Sequence, residues 1–282
     1  MSKVLIAGCG FVGVATARLF HEHGWEVLGL THSPESAQAL SAEPYRVTPV
    51  DLADAAAVRQ LGSGWNAVVH CASSGRGGAD AYRQVYLQGA RHLLALRPER
   101  LLFTSSTSVY AQVDGSIVTE ESLAEPDRET GRLLRETEAE VLAAGGIAAR
   151  LAGIYGPARS VLLRKFFNGD ARIEGDGSRW INQVHRDDIA SAIFHLISSG
   201  SSGIFNVNDN EPLQQRAIYE WLAQRFGRPV PPSGPIDPNR KRGVTNKRVS
   251  NARLRATGWE PRFPNFFTAV EQDAGLLDGI AG

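Results

Sequence analysis

Along the first half of the chain, short apolar runs alternate with longer stretches in which apolar positions recur at helical spacing. Residues 4–7, 26–30, 46–50, 67–70 and 100–104 read as strands apolar enough to be covered on both faces. Between them, residues 15–23, 36–40, 53–61, 82–96 and 131–144 carry the helical pattern. This alternation predicts a parallel sheet with helices on both sides. Residues 147–151 add a sixth strand and residues 203–207 a seventh. Crossovers in such a sheet are right-handed, so ligands gather at the carboxyl ends of the strands, where the winding reverses.

The pattern changes later in the chain. Residues 153–180 are rich in Gly, Arg and aromatics, and residues 229–239 are crowded with proline. Such segments suit loops and short elements of a smaller lobe, with the proline stretch as an extended connection. Residues 250–259 and 266–277 read as late helices, the second burying Phe266, Phe267, Val270 and Leu277. The expected fold is α/β, a doubly wound parallel sheet with a smaller C-terminal substrate lobe. Residues 1–157 and 184–210 would form the nucleotide-binding domain, residues 158–183 and 211–265 the lobe, and residues 266–282 a terminal helix.

The first strand feeds Gly8-Cys9-Gly10-Phe11-Val12-Gly13, a Gly-x-Gly-x-x-Gly turn, and a helix then begins near Phe11. Gly8 permits the tight turn, Gly10 lets the backbone approach a pyrophosphate, and Gly13 allows close helix–strand packing. The first N–H groups of the helix, around Phe11, Val12 and Gly13, then face the phosphates at the positive end of the helix dipole. Preceding strand and following helix supply the context that this motif requires.

Formal charge balances at zero over 282 residues, which argues against nucleic acid or an anionic membrane as partner. The sequence has no apolar run long enough to span a bilayer, and Met1-Ser2-Lys3 passes directly into a strand, leaving no room for a signal peptide. Two cysteines, Cys9 and Cys71, give neither a disulfide framework nor a metal cluster. A cytoplasmic chain without a metal is expected.

Several segments in order resemble the extended short-chain dehydrogenase/reductases, the NAD-dependent epimerase/dehydratase group with a Rossmann core. They are the glycine turn, Asp51-Leu52, His70-Cys71-Ala72, the run from Thr104 to Tyr110, Arg150-Leu151 leading to Ile154-Tyr155-Gly156-Pro157, Val184 to Ile189, Phe205-Asn206-Val207, and a Leu-x-x-x-Gly-Trp-x-Pro ending at Pro261. The resemblance implies an NAD(P) cofactor, with Asp51 and Leu52 near the adenine and Cys71 and Ala72 beside the dinucleotide. It also implies hydride transfer assisted by a Ser or Thr, a Tyr and a Lys. Ser106 falls at the serine position, as the candidate catalytic residue.

The tyrosine–lysine pair is absent. The register set by Gly131-Arg132 puts Thr130 at the tyrosine position and Leu134 at the lysine position, and no lysine lies four residues after a tyrosine. A threonine hydroxyl is too weak an acid to replace a phenol, and leucine can neither carry charge nor bond a ribose. Arg132 and Arg135 are near but keep their protons. The glycine turn is one residue shorter than the extended family's usual spacing, and Tyr86 stands where an asparagine is usual. The resemblance is therefore to atypical members with a degenerate active site.

The second strand ends Leu30-Thr31-His32-Ser33, without the acidic residue that usually meets the adenosine ribose. Thr31, His32 and Ser33 could donate to a 2′-phosphate, which tilts the expectation slightly to NADP. Cys9 and Cys71 read as packing residues, with a redox pair as the alternative. His185 and Asp188 read as structural, Asp188 as a helix cap. Arg76, Arg164 and Arg179 are candidate anion holders, and the basic stretch at 240–242 with Lys247 and Arg248 reads as a solvated loop or a phosphate-recognising lid. Tyr110 and Tyr155 are weighed as substitutes for the missing phenol and read as structural.

Two functions remain open. One is an atypical NAD(P)-dependent oxidoreductase or epimerase acting on an unknown small or nucleotide-linked substrate, with Ser106 orienting an oxygen. The other is a non-catalytic protein in which bound NAD(P) reports redox state. A homodimer through the helices after the fourth and fifth strands is plausible by resemblance.

Overall fold

A computed structural model describes residues 1–75, 77–236 and 245–280. Arg76 and the basic stretch at 240–242 lie outside the described residues. By packing, the chain divides into two compact units: Met1–Val109, Ala124–Arg150 and Ile189–Phe205 form the first, and Tyr110–Leu123, Leu151–Asp188 and Asn206–Gly282 form the second.

The first unit is built on the predicted sheet. Strands β1 (Lys3–Ala7), β2 (Glu26–Thr31), β3 (Arg46–Pro49), β4 (Ala67–His70) and β5 (Leu101–Ser106) are joined by Ile147–Leu151 and Gly203–Val207. Their order is Gly203–Val207, Ile147–Leu151, β5, β4, β1, β2, β3. The pairs β1–β2, β2–β3, β1–β4 and β4–β5 are all parallel. Winding runs outward from β1 to β3, then returns to place β4 on the other side of β1. The reversal between β1 and β4 is where such sheets bind ligands. Val4, Leu5, Ile6, Val68, Val69, Leu102 and Phe103 are all fully or almost fully buried, as their unbroken apolar runs predict.

Helix α1 (Phe11–Glu22) follows β1 directly. The predicted helix over 82–96 is instead three consecutive pieces: Ala79–Tyr82 is α-helical, Arg83–Gln88 is π-helical, and Gly89–Leu94 returns to α. Residue spacing does not foretell this, because one widened turn preserves the apolar stripe to either side. Helix Glu129–Ala143 runs close to the prediction.

The second unit is a set of short paired strands around an aromatic core that includes Tyr155, Phe166, Tyr219, Phe263 and Phe266. Its late helices, Ala252–Arg255 and Phe266–Gln272, are shorter than predicted. Phe266 and Val270 are buried there, with Phe267 and Leu277 packed partly against the same core. Among the described residues no helix is long and apolar enough to cross a membrane.

Candidate functional site

The carboxyl end of β1 turns sharply at Gly8, whose φ of +110° lies in the region that favours glycine. A Cβ there would sit 2.3 Å from the Ala72 backbone nitrogen, and one on Gly13 would sit 2.1 Å from the Gly8 carbonyl oxygen. Both glycines are fixed by the protein's own packing. Gly10 is not: a Cβ there meets nothing within 4 Å. Gly10 also caps helix α1 without any side-chain hydrogen bond to the helix start. The turn is held from beneath, where the Gly8 and Cys9 N–H groups donate to the Leu30 carbonyl at 3.1 and 2.7 Å. An open backbone position at an uncapped helix start fits a dinucleotide pyrophosphate in shape and in charge.

The loop after β4 walls this turn. The Cys71 N–H donates to the Ala7 carbonyl at 2.9 Å, and the Cys71 thiol donates to the Gly8 carbonyl at 3.3 Å. Burial pushes the Cys9 thiol up to about 12 and raises that of Cys71 as well. Neither is a reactive thiolate near neutral pH, which supports the packing reading.

At the second strand's end, the donors expected for a 2′-phosphate are largely engaged. The Thr31 hydroxyl donates to the Ser33 carbonyl at 3.1 Å, and Ser33 Oγ accepts the Ser36 N–H at 3.3 Å as a helix cap. Exposed His32 has Nδ1 3.8 Å from a carboxylate oxygen of Asp51. Asp51 also accepts the Ala53 N–H at 2.9 Å, and the Leu52 carbonyl faces His92 Nδ1 at 2.8 Å.

Ser106 ends β5. Its Oγ accepts the Ser108 N–H at 3.2 Å, and its own proton has no acceptor among the described residues. Ser105, one residue earlier, is turned inward and donates to Glu138 Oε1 at 2.6 Å. Glu138 also receives Arg150 through Nε at 2.9 Å and a terminal nitrogen at 2.7 Å, and pairs with Arg135. Thr130 is half-buried, and Leu134 is buried on the same helix. Their spacing on helix Glu129–Ala143 is that of a tyrosine and lysine one turn apart, without the chemistry of either.

Two clusters lie in the second unit. His185 is fully buried, its Nε2 donating to Asp273 at 3.0 Å and its Nδ1 accepting the Asp187 N–H at 3.2 Å. Asp273 lies 88 residues away in sequence, so no local motif announces it. The Asp188 carboxylate accepts the N–H groups of Arg262 and Phe263 at 2.7 and 3.2 Å, tying down a distant segment. Lys247 corrects the solvated-loop reading: it is 5% exposed, donates to the Tyr110 carbonyl at 2.8 Å, and is lowered by burial to about 8. Tyr110 is itself buried, its hydroxyl donating to Asn206 at 2.8 Å, and Tyr155 is buried with its phenol raised. Arg164 is exposed, and Arg179 lies 3.4 Å from Glu174.

The glycine turn thus lies at the reversal point of the sheet, walled by the loop after β4, with Ser106 at the end of β5. Residues 4–208 match the model of the NAD dependent epimerase/dehydratase family, and the chain belongs to that family. It is 28% identical to Protein YeeZ of Escherichia coli K12 over 279 residues, covering 94% of this chain and 97% of that protein. A Methylobacillus flagellatus structure, provisionally assigned as an NAD-dependent epimerase/dehydratase, superposes with a TM-score of 0.78 at 28% identity, over 100% of this chain and 99% of the other. A dTDP-glucose 4,6-dehydratase from Streptomyces venezuelae, solved with NAD bound, shares the fold with a TM-score of 0.81 at 20% identity, over 99% and 97% of the two chains.

Proposed function

We propose that this chain binds NAD(P) across the Gly8–Gly13 turn and acts as an atypical oxidoreductase or epimerase on a small or nucleotide-linked substrate. The observation that carries the reading is Gly10, which the protein's own packing leaves open while Gly8 and Gly13 are enclosed. When bound, the nicotinamide would supply or accept hydride. The chain's part is to hold the pyrophosphate on the α1 N–H groups, to place the adenine by Asp51 and Leu52, and to orient a substrate oxygen by the Ser106 hydroxyl. Solved relatives with NAD bound support the cofactor class. A preference for NADP rests on His32, since the Thr31 and Ser33 hydroxyls are engaged in their own turn. His32→Ala should then weaken NADP more than NAD; equal weakening removes that preference.

Turnover against a panel of carbonyl compounds and sugar nucleotides tests the enzymatic reading. Ser106→Ala should lower it by about 10-fold or more, the scale of one lost transition-state hydrogen bond. Unchanged turnover would remove Ser106 from the mechanism. Thr130 and Leu134 favour a second reading, a non-catalytic protein whose bound nucleotide reports redox state. Transfer of deuterium from labelled cofactor to any product excludes it.

A further inference from the structure

Proton transfer lost with the tyrosine–lysine pair needs another acid, and the fold narrows the choice among the chain's phenols. Of its six tyrosines, Tyr45, Tyr110, Tyr155 and Tyr219 are buried. Only Tyr82 and Tyr86 are half-exposed, stacked edge to face at 4.8 Å. Tyr86 sits in the π-helical turn Arg83–Gln88, and its Oη accepts the Ser74 N–H at 3.4 Å. Ser74 belongs to the same loop as Cys71 and Ala72, which lie against the Gly8 turn.

Further contacts hold Tyr86 at the carboxyl edge of the sheet. The His70 ring, at the end of β4, reaches the Val85 and Tyr86 carbonyls through Nε2 at 3.1 and 3.3 Å. A π turn shifts carbonyls out of the usual helical ladder, and this ring nitrogen takes up two of them. Tyr86 also packs edge to face on Phe103, three residues before Ser106, at 5.9 Å. His70 pairs with Phe103 in the β4–β5 register, so Ser106 extends to the level of the loop that Tyr86 touches. Helix Glu129–Ala143, carrying Thr130 and Leu134, packs along the π segment. The Ser74 hydroxyl is buried without a partner beside the phenol.

We propose that the Tyr86 phenol is the proton-transfer group of this site, standing in from the neighbouring helix for the phenol that Thr130 replaces. This rests on the reading of the chain as an NAD(P)-dependent enzyme. In the reducing direction, the Tyr86 O–H would break and give its proton to the substrate's carbonyl oxygen as the carbonyl carbon takes the hydride that a bound reduced cofactor would supply, being oxidised in doing so. The C=O double bond would become an alcohol, and water would return a proton to Tyr86 Oη. The Ser74 N–H, which Tyr86 Oη accepts at 3.4 Å, would steady the phenolate, and the Ser106 hydroxyl the substrate oxygen.

The test combines nitration with turnover. NAD affinity is measured first; then tetranitromethane modification of each tyrosine is mapped by peptide mass spectrometry for the free protein, with AMP and with NAD. Tyr86 should be nitrated in the free protein, protected by NAD, and left reactive by AMP, which fills only the adenosine half. Tyr86→Phe should keep the NAD affinity and lower turnover by about 100-fold or more, the scale of a lost general acid, while Tyr82→Phe retains turnover. Tyr86 resisting nitration, equal reactivity with AMP and NAD, or wild-type turnover in Tyr86→Phe each overturns the proposal. NAD protection in a protein that turns over nothing overturns the proton-transfer role in favour of the binding reading. Failure to bind NAD overturns the functional reading itself, and this role with it.

Discussion

A methyl group added at Gly13 would lie 2.1 Å from the Gly8 carbonyl oxygen, whereas one added at Gly10 would meet nothing within 4 Å. Gly13→Val should therefore destabilise the fold itself, lowering the melting temperature with or without ligand. Gly10→Val should leave the free protein's melting temperature nearly unchanged and abolish its rise with NAD. In the sequence the three glycines were legible as a motif, with Gly10 as the one assigned to a ligand; how tightly Gly8 and Gly13 are enclosed was not legible. Lys247 was misread: its basic neighbours suggested solvent, while the fold buries its ammonium against the Tyr110 carbonyl. Its value near 8 in the folded state, against 10.5 ordinarily, means that the unfolded chain binds more protons between those limits. Stability should rise with pH from about 8 to 10.5, by roughly 3 kcal/mol at most. Lys247→Met should remove that slope in urea titrations; an unchanged slope would assign it to other groups.

At the scale of elements, unbroken apolar runs were enough for the strands, since burial on both faces leaves no polar alternation, and helical spacing was enough for helix Glu129–Ala143. The π-helical turn was not legible. It meets the His70 ring, which arrives from β4 and reaches the Val85 and Tyr86 carbonyls. Burial holds His70 down to about 4, so it remains neutral while bonded there. The network of Ser105, Glu138 and Arg150 was equally hidden, since it joins β5, helix Glu129–Ala143 and Ile147–Leu151. Arg150 and Glu138 are almost wholly out of solvent. Removing Arg150 leaves the buried Glu138 carboxylate to the Ser105 hydroxyl and the half-exposed Arg135: Arg150→Met should cost about 3 kcal/mol in chemical denaturation. Adding Glu138→Leu to Arg150→Met should recover part of that loss, because the under-compensated buried charge is gone. A double variant no more stable than the single would deny that the buried charge is the cause.

For the whole molecule, the order of motifs made the fold readable and the chemistry only partly so. The winding reversal between β1 and β4 follows from strand order, and the glycine turn falls beside it. Local spacing could show that Thr130 and Leu134 lack the usual pair's chemistry; it could not bring Tyr86 to the loop at Ser74. The most direct measurement is calorimetric titration with NAD and NADP of the wild type and of Gly10→Val, each shown to be folded. Saturable one-site binding by the wild type, absent in Gly10→Val, is the result predicted here. An absence of binding to either nucleotide at millimolar concentration, or equal affinity in the two proteins, would contradict a dinucleotide seated on the turn.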